Sequence, residues 1–332
     1  MKQSLKASLL ACVVFLGLLA GLWGYTARND RTPDPTEPQL QVTDSSDPTD
    51  PPTEPPTEPP TEPEPTVPDP DFSMSATHVF VYDTARSDML FVKGDADQRI
   101  RPASLTKLFT AYVGLKYLSA DAVITAGEEA GFIDPDSSVA HIYWGQKVTV
   151  EQCVEGMILQ SGNDAAYILA VAAGRAIQGD PTLSARVALG VFIGKMNEEA
   201  LELGLENTHF ANPDGIDEAG HYTSLNDLAA ISHLALENPI IKKYAAIAKD
   251  EVTYVSGEVA KWKNTNELLH PDSEFYCENA CGLKTGSTTG AGKCLISAFK
   301  KDGGYLIIGV LGCPQEDDRY VDTLALYRHY NN

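Results

Sequence analysis

The sequence is poor in positive charge, which restricts its partners. It contains 25 Lys and Arg residues against 46 Asp and Glu among 332 residues, a formal net charge of -21. Residues 32–71 contain eleven acidic side chains and no Lys or Arg, and 34 acidic and 21 basic residues remain from residue 72 onward. Because both parts are acidic, a polyphosphate partner is disfavoured, and we expect no nucleic acid binding.

Cysteine is also scarce. Cys12 lies in an apolar N-terminal segment and the other five lie beyond it, an odd number that cannot pair completely within one chain. Cys277 and Cys281 are spaced for a local disulfide, but no neighbouring Cys or His completes a four-ligand metal site. We expect structural or free thiols and no metal, and the pairing stays open. The five cysteines are Cys153, Cys277, Cys281, Cys294 and Cys313.

The N-terminal segment is a long uncharged run. The 21 residues between Lys6 and Arg28 would span roughly 30 Å as a helix, the thickness of a bilayer core. Residues 1–31 are therefore predicted to hold a single-pass membrane anchor at about residues 7–27. A cleaved signal peptide is the alternative, although Tyr25 is large for the first position of a cleavage site. Either interpretation places the rest of the chain outside the cytoplasm, tethered to the membrane or, after cleavage, secreted.

A proline-rich segment follows the anchor. Residues 32–71 hold 14 of the 21 prolines, and Pro-Pro-Thr-Glu recurs from Pro51 through Glu62. Proline favours polyproline II geometry and like charges repel, so this composition cannot build a core. It predicts a disordered, extended stalk of up to ~120 Å.

Residues 72–332 have globular composition. Strands are predicted at both ends and helices between them, so a repeating βαβ series is unlikely to form. This order favours an α+β domain in which about five antiparallel strands from both chain ends are flanked by helices, with an inserted helical lobe. We expect a site in the cleft between lobe and sheet. The predicted strands are 77–82, 88–92, 282–285, 294–299 and 305–311, and the predicted helices start at 104 or cover 149–159, 164–177, 183–203, 226–236 and 317–330.

The first chemical motif is a serine followed by a lysine. Ser104 and Lys107 stand at i and i+3, so a helix would place the hydroxyl and the amine on one face. A neutral lysine in this position can act as base for a serine nucleophile, and a helix N-terminus or a second cation would favour the neutral form. Ser297 and Lys300 have the same spacing, but they lie in a predicted strand, where these positions face opposite sides.

Two further motifs contain polar groups suited to a site. Ser161-Gly-Asn163 lies between predicted helices, where a helix-capping turn is the alternative interpretation. Ser224-Leu-Asn226 has the same spacing and is predicted to be a cap. Lys284-Thr285-Gly286, followed by Ser287, lies on a predicted edge strand that can align a peptide bearing a carboxylate, or that is an ordinary strand with an exposed lysine.

The order of these motifs resembles a known family. Ser-x-x-Lys, Ser-x-Asn 57 residues later and Lys-Thr-Gly 123 residues beyond are the motif set of penicillin-binding proteins and serine β-lactamases. The sequence of the segments around these motifs resembles the D-alanyl-D-alanine carboxypeptidases of the low-molecular-mass penicillin-binding group, serine peptidase family S11, over about Thr77–Cys313. The segments that carry the resemblance are 102–110, 160–165, 207–210, 264–269 and 282–287.

The resemblance implies a β-lactamase/transpeptidase-like fold and a serine mechanism. Ser104 would attack the bond between two D-Ala residues, and Lys107 would take its proton. Ser161 and Asn163 would relay protons and hold the substrate amide. Water would then hydrolyse the acyl-enzyme, without a metal or organic cofactor. The substrate would be bound by Lys284, Thr285, Gly286 and Ser287. The backbone N–H groups of Ser104 and Ser287 would form the oxyanion hole.

The implied partners are peptidoglycan stem peptides ending in D-Ala-D-Ala, β-lactam antibiotics as acylating inhibitors, and the membrane through the N-terminal helix. Two features depart from the family pattern. Thr265 stands where some relatives carry an arginine between two asparagines, and the sequence ends at Asn332 without the C-terminal β-rich domain and anchor of many relatives. We expect the N-terminal anchor and stalk to substitute for that anchor.

Two rival functions remain. A β-lactamase is disfavoured because the Glu-x-x-Leu-Asn pattern is absent: Tyr222 precedes Leu225-Asn226 where the glutamate would stand. The second rival function is a β-lactam sensor or wall-binding module without turnover, and the complete motif set argues against it.

Overall fold

A computed structural model describes residues 67–331. The predicted anchor (residues 7–27) and most of the predicted stalk (residues 32–71) lie outside these residues. Within them, none of the helices combines the length and the apolar character needed to cross a membrane. The last stalk residues contact the domain, since His329 Nε2 donates to the Pro68 carbonyl at 2.7 Å and Val67 packs against buried side chains. Contacts with the domain therefore begin before residue 72.

Strands occupy both ends of the described chain and helices occupy its middle. Several short turns of 3-10 helix connect them, including Ala103–Leu105, which carries the candidate serine. The elements in chain order are β1 (His78–Asp83), β2 (Asp88–Lys93), α1 (Thr106–Tyr117), β3 (Val123–Thr125), β4 (Lys147–Thr149), α2 (Val150–Leu159), α3 (Asn163–Gln178), α4 (Ala185–Glu202), α5 (Leu225–Glu237), α6 (Pro239–Ala245), β5 (Lys249–Thr253), β6 (Val259–Lys263), β7 (Ala280–Thr288), β8 (Gly292–Lys301), β9 (Gly304–Cys313) and α7 (Asp318–Tyr330).

The main sheet joins the two chain ends. Its five strands lie in the order β2-β1-β9-β8-β7, and every neighbouring pair is antiparallel. This arrangement confirms the predicted fold class, including about five strands and an inserted helical lobe. It also places β7, which carries the Lys-Thr-Gly motif, at an edge of the sheet, as the sequence predicted.

The sheet is covered on both faces because side chains alternate along each strand. Val79 and Val81 belong to one hydrophobic core and Phe80 to the other. Helix α7 closes the first core with Tyr320 and Leu326. The second core is larger and continues into the helical lobe. Strand β7 therefore presents an edge beside the lobe, where a cleft can form.

The lobe helices begin at residues that the sequence marks. Thr149 accepts a hydrogen bond from the Gln152 N–H in a complete capping box at the start of α2. Ser184 and Ser224 cap α4 and α5 by accepting the N–H group three residues further on, and Asn238 caps α6 ahead of Pro239. The interpretation of Ser224 as a cap is confirmed.

Two small two-stranded sheets and the short helix α6 were not predicted. Strands β3 and β4 have three residues each, too few for a visible alternation. Strands β5 and β6 are rich in charge, with the sequences KDEVT and VAKWK. Trp262 on β6 is nevertheless buried, and its Nε1 donates to the Ala140 carbonyl at 2.9 Å. The five cysteines of the described residues are free thiols, and all except Cys277 are buried.

Candidate active site

Ser104 and Lys107 are hydrogen-bonded to each other. Ser104 lies in the 3-10 turn that leads into α1, and Lys107 is the second residue of that helix. Lys107 Nζ donates to Ser104 Oγ at 2.8 Å and to the Asp214 carbonyl at 2.7 Å. The lysine is fully buried, at 0% exposure. The predicted proximity of hydroxyl and amine is therefore present.

Burial makes Lys107 easier to deprotonate. Removal from water lowers the pKa of its ammonium group to about 8, although the carboxylates of Asp214 and Asp164 act in the opposite direction. The sequence suggested a second cation as one possible cause, but burial is the dominant one here. A neutral amine within hydrogen-bonding distance of a serine hydroxyl can accept its proton.

The turn that carries Ser104 has an unusual backbone. Ala103 has a φ of 49°, a left-handed conformation that costs an L-residue roughly 1–2 kcal/mol. Two glycines make room for it. A Cβ atom at Gly215 would lie 1.9 Å from the Ala103 carbonyl oxygen, and one at Gly286 would lie 3.2 Å from Ser104 N. The serine therefore sits between the Gly215 loop and strand β7.

The Ser161–Asn163 segment starts α3 without a side-chain cap. Gly162 is the N-cap residue and forms no side-chain cap, and Asn163 is already inside the helix, so the capping interpretation of this motif is wrong. Ser161 has a φ of 58°. Asn163 is buried, and its Nδ2 donates to Ser137 Oγ at 2.9 Å. The Asp164 carboxylate accepts the N–H groups of Ala140 and Ile142 at 2.7 and 2.9 Å, which fixes the loop beside the motif.

Strand β7 carries the third motif. Lys284 is only 1% exposed, and its Nζ donates to the Thr285 carbonyl at 3.1 Å. Burial, and then the positive charges of Lys107 and Arg319, lower the pKa of Lys284 well below its usual value. Thr285 Oγ1 lies 2.5 Å from Thr265 Oγ1. The alternative of an ordinary strand with an exposed lysine is therefore wrong, because this lysine is buried.

These elements enclose a cleft of about 400 Å³ between the lobe and the sheet, where the sequence predicted a site. Lys107, Asn163 and Lys284 lie behind its surface, while Ser104 and Ser161 reach it. No group of three or more metal-ligating side chains within residues 67–331 is arranged to hold an ion. The cleft is lined by Ser104, Ser138, Gln160, Ser161, Lys263, Asn264, Thr265, Glu267, Thr285, Gly286, Ser287, Glu316 and Arg319.

Sequence reasoning missed Arg319. This residue of α7 lines the cleft although it is only 4% exposed. Its Nη1 donates to the carbonyls of Gly286 and Cys294, each at 3.3 Å, and its Nη2 pairs with Glu316. Nothing around Arg319 in the sequence forms a motif, so no local signal pointed to it. Its guanidinium stays charged at any physiological pH, and the Glu316 carboxylate, which also lines the cleft, offsets part of that charge.

The competing Ser-x-x-Lys match is not part of the cleft. Ser297 is fully buried in β8, and its hydroxyl has no hydrogen-bond partner within the described residues. Its placement in a strand is as predicted.

A serine bonded to a buried lysine, between an antiparallel sheet and a helical lobe, is the arrangement of penicillin-binding proteins and serine β-lactamases. The family described as D-alanyl-D-alanine carboxypeptidase, peptidase S11, matches residues 64–315. The chain belongs to this family.

Relatives share most of the described region. The D-alanyl-D-alanine carboxypeptidase of Streptomyces sp. (strain K15) is 36% identical over 249 residues, which is 72% of this chain and 81% of the relative. The carboxypeptidase DacC of Escherichia coli (strain K12) is 32% identical over 72% of this chain and 57% of its own length. This chain therefore spans little more than half of DacC.

Solved structures agree with this assignment. The crystal structure of the Streptomyces K15 DD-transpeptidase matches with a TM-score of 0.69 at 32% identity, covering 77% of this chain and 97% of that chain. Penicillin-binding protein D2 of Listeria monocytogenes, in the ampicillin-bound form, matches with a TM-score of 0.63 at 26% identity over 78% of this chain and 99% of that chain.

Proposed function

We propose that this protein is a serine D-Ala-D-Ala carboxypeptidase that removes the terminal D-Ala from peptidoglycan stem peptides. One observation carries the proposal: Lys107 Nζ, removed from water, donates to Ser104 Oγ at 2.8 Å beside a cleft of about 400 Å³. Family membership over residues 64–315 supports the same reaction.

In the proposed reaction, Lys107 in its neutral form removes the Ser104 hydroxyl proton as the oxygen attacks the carbonyl between the two D-Ala residues. The proton then passes to the leaving amine, and D-Ala departs. Water hydrolyses the ester on Ser104 and regenerates the enzyme. Ser161, which lines the cleft, relays protons. We assign orientation of the substrate amide to Asn163, two residues further on.

Two backbone N–H groups would stabilise the tetrahedral intermediates. We assign them to Ser104 and Ser287, which both line the cleft. Strand β7 passes so close to the serine turn that a Cβ atom at Gly286 would lie 3.2 Å from Ser104 N, which supports this pairing. Losing one such donor typically costs ~3 kcal/mol of transition-state stabilisation.

We assign the substrate carboxylate to the part of the cleft formed by strand β7 and Thr265. Thr265 and Thr285 place two hydroxyls there, and Ser287 adds a third. Arg319 lies beside Gly286 and supplies the positive charge. Lys284, which is buried behind this surface, supports the strand and adds to the local positive potential when protonated. Arg319 thus takes over part of the role that the family resemblance implied for Lys284.

The remaining assignments concern the N-terminal region. We propose that residues 7–27 anchor the chain in the cell membrane and that residues 32–71 act as a stalk. Residues 72–332 would then be the penicillin-binding domain, held in the cell-wall space. The uncharged run between Lys6 and Arg28 and the proline content of the following segment support this arrangement.

Mass detection of D-Ala release from a D-Ala-D-Ala pentapeptide tests the proposal, using the full chain in detergent. Ser104→Ala is the matched inactive control, and a pentapeptide ending in L-Ala should not be cleaved. Acylation by penicillin without D-Ala release would instead indicate a sensor. Rapid turnover of penicillin would indicate a β-lactamase.

A further inference from the structure

The carbonyl of Ala103, the residue before the candidate nucleophile, is held from three directions. The Thr106 N–H and the Thr106 hydroxyl both donate to it, the hydroxyl at 2.9 Å. Gly215 packs against its other side, where even a Cβ atom would collide with the oxygen. This carbonyl belongs to the residue with a φ of 49°, so its direction determines how the chain enters Ser104.

Thr106 is itself held by a histidine that is distant in sequence. His221 Nε2 lies 2.9 Å from Thr106 Oγ1, across 115 positions of the chain. The Ala211 N–H donates to His221 Nδ1 at 3.1 Å, so Nδ1 is the acceptor and Nε2 carries the hydrogen. The hydrogen bonds therefore run in one direction, from Ala211 through His221 and Thr106 to the Ala103 carbonyl.

The environment keeps this histidine in the required form. His221 is 4% exposed, and burial, followed by His209, lowers its pKa to about 4. The ring is neutral at physiological pH, with one donor and one acceptor, as the chain of bonds needs. The same loop is tied to the end of β7, since Asp217 accepts from Thr288 Oγ1 at 2.8 Å and from the Gly290 N–H at 2.7 Å.

We propose that Thr106 and His221 are positioning residues, which hold the Ala103 carbonyl so that Ser104 stays aligned with both Lys107 and strand β7. This inference rests on the proposed function. Neither side chain is among the residues that line the cleft containing Ser104, and neither bonds to Ser104 or Lys107 within the described residues. They act on the reaction through the backbone alone.

The acylation rate of Ser104 by a fluorescent penicillin tests the proposal in the full-length protein. Thr106→Val keeps the volume and removes the hydroxyl, and we expect acylation to slow by about 10- to 100-fold, since misplacement of a reacting group by ~1 Å costs this much. Thr106→Ser keeps the hydroxyl and should stay within about threefold of the wild type. His221→Gln, which retains a donor near the Nε2 position, should be milder than His221→Leu.

A stability effect is separated from a positioning effect by two further variants. Ser232→Ala also removes a buried hydroxyl that bonds a helical carbonyl, that of Leu228 at 2.6 Å, but far along α5, and it should leave the acylation rate unchanged. Thr106→Val leaves the His221 donor without its partner, so adding His221→Leu should recover part of the thermal stability; the rest stays lost because the Ala211 N–H then has no acceptor. The double variant should nevertheless be acylated as slowly as Thr106→Val, because both substitutions remove the same hydrogen bond between His221 and Thr106.

The outcomes are distinct. Acylation of Thr106→Val at the wild-type rate overturns the proposal. So does recovery of the rate together with thermal stability in the double variant, because the role would then be structural. Failure of penicillin to label wild-type Ser104 would instead contradict the proposed function.

Discussion

The buried Lys107 makes a quantitative prediction about pH. With a pKa of about 8, roughly a tenth of its amine is neutral at pH 7 and roughly nine tenths at pH 9. If the neutral form is the base for Ser104, acylation by subsaturating penicillin should rise about tenfold between these pH values and then level off. Stopped-flow or quenched labelling at each pH measures this rate directly.

Two arginine substitutions sharpen the test. Guanidinium stays protonated across this range, so Lys107→Arg should be almost inactive at every pH. Lys284→Arg is the matched control, because Lys284 is equally buried but its Nζ bonds the Thr285 carbonyl and not Ser104. The acylation rate of Lys284→Arg should fall less than that of Lys107→Arg, and it should still rise between pH 7 and pH 9.

Three results would refute this reasoning. One is a flat rate between pH 7 and pH 9 in a protein that remains folded. Another is an active Lys107→Arg enzyme. The third is an equal loss of acylation rate in the two arginine variants. It would show that both positions need the shape of lysine, and that Lys107 is not distinguished by acting as a base.

Further predictions concern labelling, charge, stability and reach. Penicillin should label Ser104 and leave the buried Ser297 unmodified, as peptide mapping of the adduct will show. Arg319→Gln should raise KM for a peptide with a free carboxylate by about 10- to 100-fold and leave an amidated analogue unaffected, since a charged hydrogen bond is worth ~1.5–3 kcal/mol. Lys107→Met should raise the free energy of unfolding by up to ~3 kcal/mol at pH 7. This gain should vanish as pH rises from about 8 to 10.5, because wild-type Lys107 is then neutral in the folded protein but still protonated in the unfolded chain. Deleting Pro48–Pro63 should leave turnover of a soluble pentapeptide unchanged but reduce trimming of assembled wall in cells.

Each of these has a contrary result. Adducts on any other serine would overturn the assignment of the nucleophile. Equal effects of Arg319→Gln on the free and amidated peptides would remove Arg319 from carboxylate binding. If the free energies of unfolding of the wild type and Lys107→Met differed by the same amount at every pH, burial would not destabilise the charged form of Lys107. If the stalk deletion reduced soluble turnover as much as wall trimming, the segment would belong to the folded enzyme; if it changed neither, reach would not be its purpose.

The sequence by itself determined the fold class and the order of the motifs, because these depend on local patterns. Strand alternation near both chain ends predicted the sheet, and helical periodicity predicted the lobe. The i, i+3 spacing of Ser104 and Lys107 needs only one helical turn to bring them together, so it too was readable. Cap residues such as Ser224 satisfy donors within three residues and are equally local.

Only the tertiary structure decided how the site is charged and held. The low pKa values of Lys107 and Lys284 come from burial by distant segments, which no window of sequence contains. Arg319 reaches the cleft because α7 packs across the sheet, and His221 contacts Thr106 because the loop between α4 and α5 packs against the serine turn. A side chain's desolvation and its long-range partners depend on the whole packed fold, so residues that carry no motif could take part in the site unnoticed.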